Sequence, residues 1–427
     1  MNLTLIYLGK ILSFLIKQVN LGSGATWPGH IALSLNKNFI KDIFKKSNTK
    51  IVLIAGTNGK TTTAKIIKSV LENAGKTVFQ NSSGANLLNG IASSLIINSS
   101  LSGKMNEQYA IFEIDENVLP LILESSEPNY IICLNLFRDQ LDRYGEVNSI
   151  AKNWAKAFLK LSENCVLILN ADDPTIAFLG KDAKARVKYF GLNKSASTDN
   201  PINAADSVYC LRCGERLSYH ENYFSHLGNW YCLKCQNKRP NIDLDNSIYY
   251  PLYGIYNRYN TLASYLFSKQ IGISDKTIIS ALKKFNPAFG RQETIKLNGK
   301  KIQIFLAKNP TSFNESLRTI NELHGKNVLF VLNDNIPDGR DISWIWDINI
   351  ENLVKKSQNI TVSGLRAYDL ALRLEYGGII NYKLYLNLKK AILQALNKTG
   401  ENETLYILPT YSAMLDVRKI LTGRKIL

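Results

Sequence analysis

The stretch IVLIAGTNGKTTTAKIIKSVLENAGK, from Ile51 to Lys76, decides the fold of the first half of the chain. Five apolar residues run into a short loop of glycines, a lysine and threonines, and a helical pattern follows. A helix N-terminus behind a glycine-rich turn presents unpaired backbone N–H groups to an anion. The stretch therefore predicts a strand, a phosphate-binding loop and a helix, in that order.

The loop and the start of the helix form the predicted ATP site. Its residues are Gly56, Thr57, Asn58, Gly59, Lys60, Thr61 and Thr62. Lys60 supplies a positive charge for the outer phosphates, and the Thr61 hydroxyl can bind Mg²⁺. The general pattern G-x-x-x-x-G-K-[ST] is not met strictly, because Ile54 occupies its first position. A plain strand-to-helix turn is the alternative, but the strand and helix on either side favour ATP binding.

The same alternation of apolar runs and helical patterns continues to about Phe190, which predicts parallel strands covered by helices. The predicted strands are Ile51–Ala55, Tyr109–Ile114, Tyr130–Leu134 and Val166–Leu169. After the junction FNPAFGRQETIKLNGKK, which is rich in glycine, the alternation restarts at Lys301. We therefore predict an α/β protein with two such domains. The predicted divisions are a helical segment at residues 1–45, a central ATP-binding domain at 46–290 and a C-terminal domain at 291–427.

The formal net charge of the 427-residue chain is +17, and this charge predicts acidic partners: phosphates, an anionic membrane face or nucleic acid. A lysine-rich solvated surface is the plain alternative. The first residues, MNLTLIYLGKILSFLIKQ, are apolar, but Lys10 and Lys17 interrupt them. The stretch is too short for a transmembrane helix, so we expect a packed helix or one that lies at an interface.

Four of the six cysteines form two C-x-x-C pairs within an insertion at about residues 206–240. These cysteines are Cys210, Cys213, Cys232 and Cys235, with 18 residues between the pairs. That spacing predicts a zinc ribbon, and four thiolates close a tetrahedral site, so the Zn²⁺ would be structural. His220 and His226 are nearby but are not needed as ligands. Six aromatic residues are expected to pack this module rather than stack on bases: Tyr209, Tyr219, Tyr223, Phe224, Trp230 and Tyr231.

The phosphate loop is the variant found in Mur ligases and folylpolyglutamate synthases, and two further segments resemble that superfamily. FEIDE resembles the strand end that holds Mg²⁺ in such enzymes, which implies this role for Glu113, with Asp115 and Glu116 as alternatives. GIYNRYNTLA resembles the G-x-x-N-x-x-N-x-x-A helix. The resemblance implies that Asn257 and Asn260 approach the nucleotide, since an amide can both donate and accept.

Three more segments extend the resemblance with some departures. FGRQE resembles the G-R-x-E turn, which implies that Arg291 contacts phosphate or the acyl phosphate through its planar fork. NLFRDQLDRYG resembles a family pattern, but Gln140 stands where the family has a metal-binding histidine, so a second metal site is left open. AKNPTSF resembles the segment that opens the C-terminal domain, although Phe305 and Leu306 stand where an acid is usual.

The cysteine insertion occurs together with GSGATWPGHIAL, LNDNIPDGRDISWIWD and LYILPTYSAMLDVRKIL. This combination resembles the MurT family, the ligase subunits of lipid II isoglutaminyl synthase in peptidoglycan biosynthesis. The resemblance implies ATP- and Mg²⁺-dependent amidation of the α-carboxylate of D-glutamate in the lipid II stem peptide. The product would be D-isoglutamine, formed through an acyl phosphate. It also implies a cytoplasmic protein that is peripheral at the inner face of the cell membrane.

Ammonia is mostly protonated at neutral pH, so an enzyme of this kind draws it from glutamine. Cys133 and Cys165 lie in apolar strands rather than on a sharp turn, and the other cysteines are predicted metal ligands. The glutaminase must therefore be another chain, and the resemblance implies a GatD-type amidotransferase. In that family the ligase subunit supplies an acid that orients the partner's catalytic histidine. Asp347 is the first choice for this acid and Asp341 the second, while Asp338 lies in the same segment.

Two other functions fit parts of the sequence. A Mur-type ligase that adds an amino acid would need a different C-terminal domain, and the missing acid near Lys308 argues against it. A zinc-ribbon ATPase that binds nucleic acid would show salt-sensitive binding. The sequence has no aromatic-rich RNA motif and no basic helix. We therefore expect no nucleic-acid partner.

Overall fold

The structure, a computed structural model, describes residues 2–18, 26–81, 85–138, 147–193, 206–244, 246–297, 299–353 and 359–423. Helices open the chain: α1 (Asn2–Gln18), α2 (Trp27–Leu35) and α3 (Phe39–Lys46). The inward face of α1 buries Leu5 and Ile6. Its outward face exposes six large apolar side chains: Leu3, Tyr7, Leu8, Ile11, Phe14 and Leu15. None of the described helices has the length and apolar content needed to cross a bilayer.

The first sheet is fully parallel, with the strand order β2-β3-β1-β4-β5-β6. Its strands are β1 (Lys50–Ala55), β2 (Val78–Gln80), β3 (Tyr109–Glu113), β4 (Tyr130–Cys133), β5 (Val166–Asn170) and β6 (Arg186–Phe190). The helices between them are α4 (Lys60–Asn73), α5 (Leu88–Asn98), α6 (Val118–Ser125), α7 (Val147–Phe158) and α8 (Pro174–Leu179). The four predicted strands are the four inner ones. They read as continuous apolar runs because helices cover both faces of a parallel sheet.

The cysteine insertion forms a hairpin of β7 (Ser218–Phe224) and β8 (Leu227–Tyr231), which packs onto the first sheet. The Trp230 indole N–H donates to the carbonyl of Ala171 at 2.9 Å. Tyr223, Phe224 and Trp230 are buried, as the packing prediction requires. The prediction is wrong for Tyr209, which is 61% exposed. Two helices follow the insertion: α9 (Ile255–Gln270) and α10 (Asp275–Lys283).

The second sheet confirms the predicted second α/β unit, with the order β13-β12-β11-β14-β10-β9. Its strands are β9 (Arg291–Leu297), β10 (Lys300–Phe305), β11 (Asn327–Val331), β12 (Asn359–Ser363), β13 (Tyr382–Leu384) and β14 (Thr404–Pro409). Strand β9 is antiparallel to β10, and the other pairs are parallel. The accompanying helices are α11 (Pro310–Glu322), α12 (Ile350–Leu353), α13 (Ala367–Tyr376), α14 (Leu388–Lys398) and α15 (Tyr411–Thr422). Amide side chains join the two domains, because the Asn309 amide donates to Asn58 Oδ1 at 3.3 Å.

Candidate active site

The predicted phosphate loop lies at the carboxyl end of β1, where it turns into α4. Gly56 and Gly59 have φ angles of 134° and 94°, a region that favours glycine. Asn135, just beyond β4, fixes the loop from the neighbouring strand. Its carbonyl accepts from the Thr57 N–H at 3.0 Å, and its side-chain oxygen accepts from the Asn58 N–H at 2.9 Å. The loop conformation is therefore set by two strands and not by the loop alone.

Lys60 begins α4, and its ammonium group folds back over the loop. It donates to the Gly56 carbonyl and forms an ion pair with Glu116, in which Lys60 Nζ lies 3.2 Å from Glu116 Oε1. Both side chains are largely buried. A buried cation beside a helix N-terminus is suited to bind a phosphate group.

Thr61 and Glu113 meet beside the loop, although they are 52 residues apart. The Thr61 hydroxyl donates to Glu113 Oε2 at 2.6 Å, and the Gln80 amide donates to Glu113 Oε1 at 3.1 Å. Glu113 is only 4% exposed. Burial raises the pKa of its carboxyl, while the hydrogen bonds from Thr61 and Gln80 oppose that shift.

The pair of Thr61 and Glu113 fits a Mg²⁺ site. Mg²⁺ prefers oxygen ligands and is usually bound through one or two carboxylates together with substrate phosphates. The hydroxyl and carboxylate oxygens provide that donor set at the N-terminus of α4. Asp115 and Glu116, the sequence alternatives, are also buried. Glu113 accepts the hydrogen bond from Thr61, and Glu116 is paired with Lys60. Gln140 and the question of a second metal site lie outside the described residues.

Asn257 and Asn260 lie on the first turns of α9, against the phosphate loop. The Asn260 amide donates to Asn257 Oδ1 at 3.1 Å, and the Asn257 amide donates to the Tyr253 carbonyl at 2.8 Å. Asn260 Oδ1 would lie 2.1 Å from a Cβ built on Gly59. The close approach of α9 thus requires glycine at position 59.

Arg291 begins β9 and brings the second sheet to the site. Burial lowers the pKa of its guanidinium, and the nearby Glu113 carboxylate opposes that shift. One pocket between the two domains is lined by Arg291 together with Asn58, Thr62, Asn257 and Asn260.

The pocket has further walls that local motifs did not indicate. Phe137, Phe224, Leu227 and Glu315 also line it. Phe137 follows β4, Phe224 and Leu227 belong to the cysteine insertion, and Glu315 lies on α11. Gln80, which orients Glu113, ends the short edge strand β2. These residues carry no local signature, because each is brought to the site by the tertiary fold.

The four predicted metal ligands form one cluster. Their sulfur atoms all lie within 4.8 Å of one another. The Cys210–Cys235 and Cys213–Cys232 sulfur pairs are each 3.5 Å apart. Zn–S bonds of 2.3 Å in a tetrahedron would place the sulfur atoms about 3.8 Å apart, so the cluster fits Zn²⁺.

The two histidines of the insertion make other contacts. His226 is fully buried, and its Nε2 lies 3.4 Å from Asp173 Oδ2. His220 stacks on Tyr231, with 4.3 Å between ring centroids. Among the described residues, these four cysteines alone form a cluster that could hold a metal ion.

The three acids of the C-terminal segment differ in their surroundings. Asp338 is buried and accepts hydrogen bonds from the backbone and hydroxyl of Ser412 at 2.7 and 2.5 Å. Asp341 is exposed and accepts from the Ser343 N–H at 2.8 Å, which lowers the pKa of its carboxyl. Asp347 is exposed at the end of a 3₁₀ turn (Ser343–Asp347). Only Asp341 and Asp347 are therefore accessible to another molecule.

Comparison with known proteins places these features in a family. The Mur ligase middle domain matches residues 54–267, and the MurT ligase C-terminal domain matches residues 306–414. The fold is similar to the solved structure of a pseudomurein peptide ligase type C from Methanothermus fervidus. The TM-score is 0.66 with 23% identity, covering 90% of this chain and 81% of that one. Fold and phosphate loop together define a Mur-ligase-like protein.

Two curated relatives show to which family of Mur-ligase-like proteins the chain belongs. The chain is 32% identical to the lipid II isoglutaminyl synthase (glutamine-hydrolyzing) subunit MurT of Staphylococcus aureus strain COL, over 92% of this chain and 91% of that protein. It is also 32% identical to the protein of the same name from Streptococcus pneumoniae strain ATCC BAA-255 / R6, over 95% of this chain and 94% of that protein. The chain belongs to the MurT family.

Proposed function

We propose that this chain amidates the α-carboxylate of D-glutamate in the stem peptide of lipid II, with ATP as the energy source and ammonia as the nitrogen donor. The names of the two relatives support the substrate and the product. The observation that carries the chemistry is the pairing of Lys60 with Glu116 and of Thr61 with Glu113 beside the phosphate loop, next to the interdomain pocket that Arg291 lines. This cluster combines cations for phosphate with oxygen ligands for Mg²⁺.

The reaction has two steps. A carboxylate oxygen of D-glutamate attacks the γ-phosphorus of ATP, and ADP leaves, which forms an acyl phosphate. Ammonia then attacks the acyl carbon, and inorganic phosphate leaves. Such a transfer needs positioning and charge stabilisation more than covalent help from the protein.

Different residues of the site would bind the phosphates, the Mg²⁺ ion and the acyl phosphate. The N–H groups at the start of α4 and the Lys60 ammonium hold the outer phosphates, and Thr61 and Glu113 would hold the Mg²⁺ ion. When bound, Mg²⁺ neutralises charge on the transferred phosphoryl group. Arg291 can hold the acyl phosphate oxygens through its planar fork. Asn257 and Asn260 keep α9 against Gly59 and thereby fix the loop geometry.

We assign the supply of ammonia to another chain, because neither cysteine outside the four-cysteine cluster is an activated nucleophile. Burial raises the pKa of Cys133 well above its usual range and raises the pKa of Cys165 to about 12. A thiol needs a depressed pKa or an adjacent base to act as a nucleophile. The other four cysteines form the metal cluster. We therefore assign the glutaminase to a GatD-type partner, consistent with the word "subunit" in the relatives' names.

The exposed acids suggest how the chain assists that partner. A catalytic histidine is commonly oriented by a carboxylate, which fixes its tautomer. Asp347 is our first choice for this acid, and Asp341 is the second. Asp338 is committed to Ser412 within this chain and is excluded from the role.

The proposed substrate and the surface of the chain support a location at a membrane. A lipid-linked substrate lies in the membrane, and the exposed apolar face of α1 can insert among lipid headgroups. A net charge of +17 favours an anionic leaflet. We propose a cytoplasmic protein that associates with the inner membrane face without spanning it.

The proposal is tested by mixing the purified chain and its glutaminase partner with lipid II, ATP, Mg²⁺ and ammonium chloride, without glutamine. We expect D-isoglutamine in the stem peptide and one ADP for each amide, measured by mass spectrometry and a coupled ADP assay. In a parallel reaction with a mixture of amino acids in place of ammonium chloride, an amino acid joined to the product would support a ligase of the amino-acid-adding class. Failure to form any amide or ADP would reject the proposal.

A further inference from the structure

The cysteine insertion takes no part in the proposed reaction, yet its hairpin reaches from the metal cluster to the nucleotide pocket. Strand β8 ends at Tyr231, directly before the ligand Cys232. The turn between β7 and β8 lies at the opposite end of the hairpin. Phe224 and Leu227 flank this turn, are paired across it, and line the interdomain pocket. The insertion therefore has a metal end and a pocket end.

At the pocket end, aromatic rings form an apolar wall. The ring of Phe224 stacks on Phe137, with 6.0 Å between centroids and 23° between planes. Tyr259 of α9 meets Phe224 edge-on at 5.8 Å. Nucleobases stack on aromatic faces, and small-molecule sites are lined mainly by apolar and aromatic side chains.

This wall is joined to the phosphate loop through Phe137. The Thr57 hydroxyl donates to the Phe137 carbonyl at 3.1 Å and accepts from its N–H at 3.0 Å. His226, in the hairpin turn, packs on Phe137 with 4.6 Å between centroids, and its ring lies 3.4 Å from Asp173. Asp173 in turn accepts from the Leu136 N–H at 2.9 Å. The turn is thus docked onto the segment that holds the loop.

Two polar atoms show that the pocket is built for a polar ligand. Asn58 Nδ2 and Glu315 Oε2 are buried and have no hydrogen-bond partner among the described residues, and both residues line the pocket. A buried polar atom without a partner is costly and calls for an explanation. One donor and one acceptor beside an aromatic wall match the mixed polar and apolar character of a nucleoside.

We propose that the hairpin of the cysteine insertion is the apolar wall of the nucleoside subsite, with Phe224 as its main contact. The proposal rests on the proposed ATP-dependent function and assigns the insertion a role in that function. Because the same hairpin ends at the metal ligands, zinc keeps this wall in place. Loss of zinc therefore weakens nucleotide binding without any contact between the metal and the nucleotide.

The test measures binding of Mg²⁺·ADP to the purified holoprotein by titration calorimetry. Phe224→Ala should raise the Kd about tenfold or more, in line with the loss of one stacked aromatic ring. Leu233→Ala is the matched control, because Leu233 lies in the same insertion and is 74% exposed. The control should bind ADP as the wild type does, and both variants should keep the zinc content of the wild type.

Two further measurements separate a lost contact from a damaged fold. Phe224→Leu keeps an apolar side chain and removes the ring, so it should fold normally and still bind ADP less tightly. Inorganic tripolyphosphate, which has no nucleoside, should compete equally well on the wild type and on both Phe224 variants. If both variants bind ADP like the wild type, or if tripolyphosphate weakens in parallel with ADP, the assignment is overturned.

Lys60→Ala separates this inference from the proposed function. If Lys60→Ala loses ADP binding while the Phe224 variants retain it, the pocket binds nucleotide but the hairpin is not its wall. If Lys60→Ala also binds ADP normally, the phosphate loop is not the ATP site, and the proposed function fails together with the inference.

Discussion

The phosphate site and the acidic segment near Asp347 are built in opposite ways. In the phosphate site, Lys60 is paired with Glu116 and Thr61 with Glu113, all within the chain. In the acidic segment, Asp347 is exposed and has no ion pair or hydrogen bond with another described residue. The carboxylates that we propose for this chain's own chemistry are buried beside their partners, whereas the one that we propose for a second subunit lies at the surface. The comparison predicts that changes in the two regions have separable effects.

The largest effect is expected at the phosphate site. Lys60→Ala should reduce amidation on the order of 10³-fold with either glutamine or ammonium, because a preorganised cation on the transferred phosphoryl group is lost. The fold should persist, since the change removes only the side chain beyond Cβ of the first residue of α4. Rates with both nitrogen sources and a circular dichroism melt check this. Normal activity of this variant would show that the phosphate loop takes no part in the reaction.

The next effect concerns the carboxylate that contacts Thr61. Glu113→Gln keeps the size of the side chain but weakens Mg²⁺ binding, so activity should fall about 10²-fold with both nitrogen sources. A higher Mg²⁺ concentration should restore part of it. Titration of activity against Mg²⁺ measures the shift. If the Mg²⁺ dependence is unchanged, Asp115 or Glu116 binds Mg²⁺ in place of Glu113.

Loss of a ligand from the cysteine cluster should lower the stability of the protein and should affect the reaction only through that loss. Cys210→Ser removes one of four ligands, and zinc binding in small modules is coupled to their folding. The melting temperature should fall by about 5 °C or more, because loss of a metal site is among the few single changes with large effects. Calorimetry and metal analysis test this, with Cys165→Ser as the control for loss of a thiol. If wild-type protein purified without chelators contains no zinc, the prediction of a zinc ribbon is wrong.

The smallest effect is expected at Asp341. This exposed carboxylate accepts a hydrogen bond from the Ser343 N–H, so Asp341→Asn should cost at most about 1 kcal/mol of local stability. Amidation with glutamine and with ammonium should both stay near the wild-type rate. Selective loss with glutamine would make Asp341, our second choice, the acid that orients the partner's histidine.

The inner strands and the phosphate loop could be predicted because their signals are local. Strands such as β1 and β3 are buried on both faces and read as apolar runs. The edge strands β2, β6, β9 and β13 were missed, since they are short or only partly buried and lack such runs.

The rest of the site depends on contacts between distant segments. Glu315, Phe224 and Gln80 reach it only through the packing of separate elements. The choice among the acids shows the same limit. The sequence ranks Asp347 ahead of Asp338 without a structural reason, and only the Ser412 contacts reveal that Asp338 is committed within the chain.

The most direct test of the account is the rate of lipid II amidation by Asp347→Asn, measured with the partner subunit and with each nitrogen source in turn. The substitution keeps the size of the side chain but removes its charge, which favours the wrong tautomer of the partner's histidine. The account predicts loss of amidation with glutamine and a near-normal rate with saturating ammonium. Equal loss with both sources would contradict it and place Asp347 in the ligase reaction or the fold. A normal rate with glutamine would equally contradict the assignment of Asp347.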